Sequence, residues 1–176
     1  MIEFEGFPKI PRLFRQCVVT EKIDGTNASV IIDEDGNIGA ASRKRLITPE
    51  NDNAGFAAWV RDYKSQLLEL GPGRHFGEWW GSGIQRRYGL NEKRFSLFNV
   101  ARWKDKQPGC CHVVPVLFEG LFDTETIREQ LEWLTHNGSV AAPGFDRPEG
   151  IVVWHDAGRK LYKATIEKDE EWKGKT

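Results

Sequence analysis

Two spacings of hydrophobic residues alternate along this chain, and the two-residue spacing dominates. Cys17-Val18-Val19-Thr20 reads as a strand running into Lys22, and Ala28-Ser29-Val30-Ile31-Ile32 alternates and is β-branched, which predicts a second. Asp33-Glu34-Asp35-Gly36-Asn37 is turn chemistry, and Ile38-Gly39-Ala40-Ala41 returns from it, so a hairpin ends at Ser42-Arg43-Lys44-Arg45. Residues 75–80, 95–100 and 113–118 predict further strands. Ile151-Val152-Val153-Trp154 and Lys160-Leu161-Tyr162-Lys163 flank Asp156-Ala157-Gly158 and predict a closing hairpin. The helical period takes over twice. Phe56, Val60, Tyr63, Leu67 and Leu70 recur at three- and four-residue steps, predicting a helix over 54–70 that Gly71-Pro72-Gly73 stops. A second helix starts at Asp123 or Thr124, with Glu125 and Glu129 toward its positive end and Gly138 as its stop. Pro8 and Pro11 make the start an extended lead-in. Strands with two inserted helices define an α+β domain on antiparallel sheets.

Composition then narrows the class. A chain of 176 residues, 39% hydrophobic and 29% charged, fits a single globular domain over 1–176. The formal net charge of -1 excludes a general electrostatic pull toward nucleic acid, so any such surface is a local patch. No run is apolar enough to span a bilayer, and the first residues lack the pattern of a signal peptide. Cys17, Cys110 and Cys111 form no even framework, and the adjacent pair suits neither a disulfide scaffold nor a zinc site. A reducing, cytoplasmic setting is the expectation.

Four segments could carry chemistry. The first is Glu21-Lys22-Ile23-Asp24-Gly25-Thr26-Asn27, a strand breaking at a glycine with a lysine among carboxylates. A free lysine is almost wholly protonated at pH 7, so a nucleophilic lysine needs neighbours that help remove its proton. Lys163 or a metal could serve. The second is Phe76-Gly77-Glu78-Trp79-Trp80-Gly81, whose glutamate could accept from a ribose hydroxyl where glycines allow close approach. The third is Pro148-Glu149-Gly150-Ile151, an acid at the mouth of an apolar strand, where oxygen ligands suit magnesium. The fourth is Lys160-Leu161-Tyr162-Lys163, where alternation separates Lys163 from Lys160 and leaves a basic residue to meet phosphate. Taken singly, each also fits a solvated turn, a core strand or a charged sheet edge.

In this order the four segments resemble motifs I, III, IV and V of the covalent nucleotidyltransferases, the superfamily of ATP-dependent RNA ligases, DNA ligases and capping enzymes. The lysine run, with Asn27 at its distance, is most similar to the nick-sealing RNA ligase branch. The resemblance implies an adenylation domain, ATP-grasp-like in its ligase chemistry, in which Lys22 takes AMP from ATP. It further implies Glu21 beside the adenine, Asn27 at the ribose and phosphate, and Arg43 as the ribose or strand contact of motif Ia. Glu78 would bind the ribose, Phe98 would stack on adenine, Glu149 would hold Mg2+, and Lys163 would bind the α-phosphate. RNA or DNA ends would be the partners, with Arg43-Lys44-Arg45 and Gln85-Arg86-Arg87 as candidate strand contacts, RNA favoured, and a minimal DNA ligase or a binding module without turnover as the alternatives. Two departures stand out: Thr165 occupies the place of a second motif V lysine, for which Lys160 or Lys168 could substitute, and 176 residues leave no room for a C-terminal OB-fold. A separate nucleic-acid-binding or helper chain is therefore a possible partner.

Overall fold

The computed structural model describes residues 1–167; Lys168 lies outside them. β1 (Gln16–Lys22), β2 (Thr26–Ile32) and β3 (Ile38–Ser42) follow the predicted order, with a short β4 (Leu46–Ile47) after the basic turn. The turn between β2 and β3 is fixed by Asp33, whose Oδ1 accepts from the backbone N–H groups of Asp35 and Asn37.

The predicted first helix is interrupted at Tyr63. It runs as α1 (Phe56–Asp62) and α2 (Lys64–Leu67), then a single 3-10 turn to Leu70. Its hydrogen-bond ladder continues through Tyr63, which donates to Trp59 O and accepts from Leu67 N, so the departure is confined to the backbone of one half-exposed tyrosine. It starts at Phe56 rather than Ala54 because Ala54 and Gly55 have left-handed backbones, with φ 53° and 82°, while Asp52 accepts from the free N–H groups of Ala57 and Ala58.

β5 (Gly73–Gly81) matches the reading, and β6 (Lys93–Leu97) is shorter than expected. Asn99 ends it by capping a one-turn helix, α3 (Val100–Trp103), through the N–H of Arg102. The expected strand over 113–118 is two strands, β7 (His112–Val113) and β8 (Val116–Leu121). Pro115, which has no N–H to give a ladder, lies between them, and there the chain crosses from one sheet to the other. Helix α4 (Thr124–Asn137) begins at Asp123, which accepts from Glu125 N, and stops at Gly138 with φ 80°. β9 (Gly150–His155) and β10 (Lys160–Thr165) close the fold as the expected hairpin.

Among the described residues these strands make two sheets, in the orders β10-β9-β1-β8 and β4-β3-β2-β5-β6-β7. Every pairing is antiparallel except β6 with β7. The larger sheet buries Val30, Trp79, Phe95 and Leu97 against Phe56, Val60 and Leu67 of the first helical segment. The smaller buries Cys17, Val19, Ile151 and Val153 against Leu134 of α4. A third cluster of Ile23, Trp80, Tyr88, Val114 and Ala142 gathers residues from the β1–β2 turn, the larger sheet and the crossover into one junction. Each large side chain so buried contributes roughly 1.5–3 kcal/mol.

Candidate active site

β1 ends at Lys22, and the turn through Gly25 passes the chain from the smaller sheet to β2 of the larger one. The two sheets therefore meet where the lysine is presented. Gly25 is required there: a Cβ would lie 2.5 Å from Trp79 O, 2.7 Å from Trp80 Cβ and 3.0 Å from Glu78 Cγ. That close approach lets Gly25 N donate to Glu78 Oε1 at 3.1 Å.

Lys22 Nζ lies 2.6 Å from Glu149 Oε2, and both side chains are about one-fifth exposed, at 22% and 18%. The register explains the encounter. Lys22 pairs with Gly150, so the residue preceding β9 stands beside the end of β1. Gly150 in turn pairs with Thr165, at φ +156°, and a Cβ on it would fall 2.2 Å from Ala164 O. Only glycine lets β10 come this close.

On the larger sheet Asn27 pairs with Glu78, which pairs with Ser96, so the three share the face opposite the α1 core. Asn27 Nδ2 donates to Glu78 Oε2 at 2.8 Å. Glu78 is 7% exposed, and burial, opposed by the Asn27 bond, the Lys22 charge and the Gly25 N–H, pushes its carboxyl up to about 7. The charge of Glu149 also raises it, which ties the acids of both sheets to one electrostatic site.

Other sequence-named residues fall on the same surfaces. Lys163 pairs with Val152 and that with Thr20, two positions from Lys22 on the same strand face, so Lys163 is an exposed cation on the lysine's side. Thr165 lies on that face too. Phe98 follows β6, is 41% exposed and donates its N–H to Phe76 O, continuing the Ser96 alternation. Arg43 is exposed in the turn after Ser42, the partner of Ala28, at the Asn27 end of its sheet.

Two assignments need correction. Lys160 pairs with His155 at the opposite end of β9 from Gly150, and alternation puts it on the other face from Lys163. Lys160 thus lies away from the face that carries Lys22 and Lys163; Lys168, the other candidate, lies outside the described residues. Glu21 is 1% exposed and faces away from Lys22, as adjacent strand residues must. Its carboxylate accepts from Ser139 Oγ at 2.6 Å, Val140 N at 2.8 Å and Ala141 N at 2.9 Å. Its side chain is thus committed to holding the loop after α4, not free for a base.

Sequence reasoning missed Tyr88 and read Arg86 only as part of a basic stretch for strand contact. Tyr88 Oη accepts from Asp24 N at 2.7 Å, and Arg86 Nε lies 3.0 Å from Asp24 Oδ2. A positive charge two residues from an aromatic in a glycine-bounded loop was the visible signal.

Among the described residues no group of three or more side chains forms a metal cage. Magnesium needs only one or two protein carboxylates when phosphates and water complete its shell, and Glu149 beside the lysine fits that demand.

The profile of the RNA ligase family matches residues 15–165. The chain belongs to the RNA ligase family. Solved structures of an RNA ligase from Naegleria gruberi share its fold. A variant with ATP and Mn superposes with a TM-score of 0.68 at 23% identity, covering 88% of this chain and 51% of that one. A variant with AMP and Mn gives 0.66 at 20%, covering 87% and 50%, and the ligase with PPi gives 0.61 at 21%, covering 85% and 49%. The chain thus spans about half the length of these relatives. No curated protein matches it. No helix among the described residues is long and apolar enough to cross a membrane.

Proposed function

We propose that this chain is the nucleotidyltransferase domain of an ATP-dependent RNA ligase that works in the cytoplasm through a lysyl-AMP at Lys22. The contact between Lys22 and Glu149, on the strand face that also presents Lys163, carries this reading. The Lys22 amine loses a proton and attacks the α-phosphorus of ATP. An N–P bond forms, the bond from that phosphorus to the pyrophosphate oxygen breaks, and pyrophosphate leaves. Glu149 Oε2, 2.6 Å from the amine, would accept the proton, and Lys163 would neutralise charge on the phosphate. Asn27 and Glu78 would bind the ribose, Phe98 would stack on the adenine, and Arg43 would contact the ribose or the strand. Mg2+, when bound at Glu149, would supply charge neutralisation at phosphate oxygens. AMP then passes to a 5′-phosphate end, and a 3′-hydroxyl displaces it to join the strand. Positioning and electrostatic stabilisation do the protein's share of the work.

RNA ends are the proposed substrate, on family membership. Sealing assays on nicked RNA and nicked DNA duplexes test this. Joining of RNA supports the proposal, and joining of DNA alone would replace it with a DNA ligase.

A further inference from the structure

The loop between β5 and β6 carries backbone strain that the site described so far does not use. Gln85, Arg87 and Tyr88 all have left-handed backbones, with φ 43°, 61° and 51°, and none is glycine. Side chains at such φ values persist where surrounding structure demands them, and they cluster at functional sites. What the strain achieves is visible in the partners of two residues.

Tyr88 is 2% exposed, wedged against Trp80 and Phe145 with ring centroids at 5.0 and 4.6 Å, and its Oη receives the N–H of Asp24. Arg86 spreads its guanidinium over three separate segments. Nε meets Asp24 Oδ2 at 3.0 Å, Nη1 donates to Arg147 O at 3.1 Å, and Nη2 lies 3.6 Å from Glu167 Oε2. Asp24 is two residues after Lys22, and Arg147 is two residues before Glu149. One planar cation therefore spans the two chain segments that carry the ion pair, just outside the pair itself. The fork of an arginine suits this bridging in a way a point charge does not.

We propose that Arg86 is a positioning residue for nucleotidyl transfer: by joining the Asp24 turn to the segment before Glu149, it sets the spacing at which Lys22 and Glu149 face an α-phosphate. This rests on the lysyl-AMP reading above. Arg86 reaches the reacting atoms through its neighbours, so its loss misplaces the nucleophile without removing a nucleotide contact.

The test is single-turnover labelling with α-labelled ATP and Mg2+ across ATP concentrations, using Arg86→Ala, Asp24→Ala and the double variant, with circular dichroism to confirm folding. Labelling of the unaltered protein comes first, and its absence would refute the lysyl-AMP reading instead. Given labelling, Arg86→Ala should slow the maximal rate roughly 10–100-fold, the penalty of a misplaced reactant, with half-saturating ATP unchanged within about threefold. The double variant should be no slower than the slower single variant. Should Arg86→Ala not fold, Arg86→Gln, which keeps the side-chain length without the charged fork, is measured in its place. A folded variant that labels at the unaltered rate, or one whose whole defect lies in half-saturating ATP, would overturn the inference.

Discussion

Asn27 and Glu78 stand opposite one another on adjacent strands, and the Asn27 amide donates to Glu78 Oε2 at 2.8 Å. With Gly25 N on the other oxygen, the carboxylate is held by two donors in a buried place. Burial still wins and pushes the carboxyl up to about 7, from 4.5 for an ordinary glutamate. Between those values the folded protein keeps a proton that the unfolded chain has released, so stability falls as pH rises through the window. The total is on the order of 3 kcal/mol, or roughly 6–12 °C in Tm for a domain of this size. Burial lowers the pKa of His75 and His112, which act in the opposite sense, so the comparison with Glu78→Gln isolates the effect. Thermal melts from pH 5 to 8 should show a fall in the unaltered protein relative to Glu78→Gln. Parallel profiles would contradict the burial argument.

Gly25 carries a second prediction. An added methyl group must displace Trp79 O or Glu78 Cγ, both at or within 3.0 Å of where it would sit. Gly25→Ala should cost about 1–3 kcal/mol, the range for overpacking a filled site, and should weaken nucleotide labelling as Glu78 shifts. Denaturant unfolding measures the first part, and an unchanged midpoint would show that the turn relaxes freely.

Glu21 separates structural from chemical roles at neighbouring positions. Glu21→Ala leaves Ser139 Oγ and the N–H groups of Val140 and Ala141 without their acceptor in a buried place. A loss of roughly 2–4 kcal/mol in unfolding free energy is expected. Glu21→Gln, which retains one acceptor oxygen, should lose less. Equal losses in the two variants would argue against the hydrogen bonds as the cause.

Glu149→Ala removes the group that Lys22 contacts at 2.6 Å. Metal-dependent labelling should fall by about 10²-fold, in the range for general acid–base groups. Quantitative labelling against Mg2+ concentration checks it, and labelling equal to the unaltered protein would show that the metal and proton roles assigned to Glu149 are wrong.

Much of the fold was legible because its signals are local. The hairpin from Thr26 to Ser42 announces itself by alternation on both sides of an Asp-Gly-Asn turn, and Asp123 and Gly138 mark the ends of α4. The breaks were harder. Val113 to Phe118 is apolar almost throughout, and only Pro115 hints that the run is divided between two sheets. Motif order named Lys22, Asn27, Glu78, Glu149 and Lys163, and the strands bring Lys22 to Glu149 and Asn27 to Glu78. The side-chain directions were less legible: alternation alone turns Glu21 and Lys160 from the Lys22 face, but that inference needs the strands to be in place first. The sequence showed Arg86 as part of a basic stretch but not its bridging, because its partners, Asp24, Arg147 and Glu167, lie in distant parts of the chain that only tertiary structure unites.

The most direct measurement incubates the protein with α-labelled ATP or GTP and Mg2+ and resolves the products on a denaturing gel. Label from ATP that survives denaturation, resists alkali, is released by acid and vanishes in Lys22→Ala is the expected result. A protein that stays unlabelled with either nucleotide, or that labels equally well once Lys22 is replaced, would contradict the assignment of Lys22 as the nucleophile.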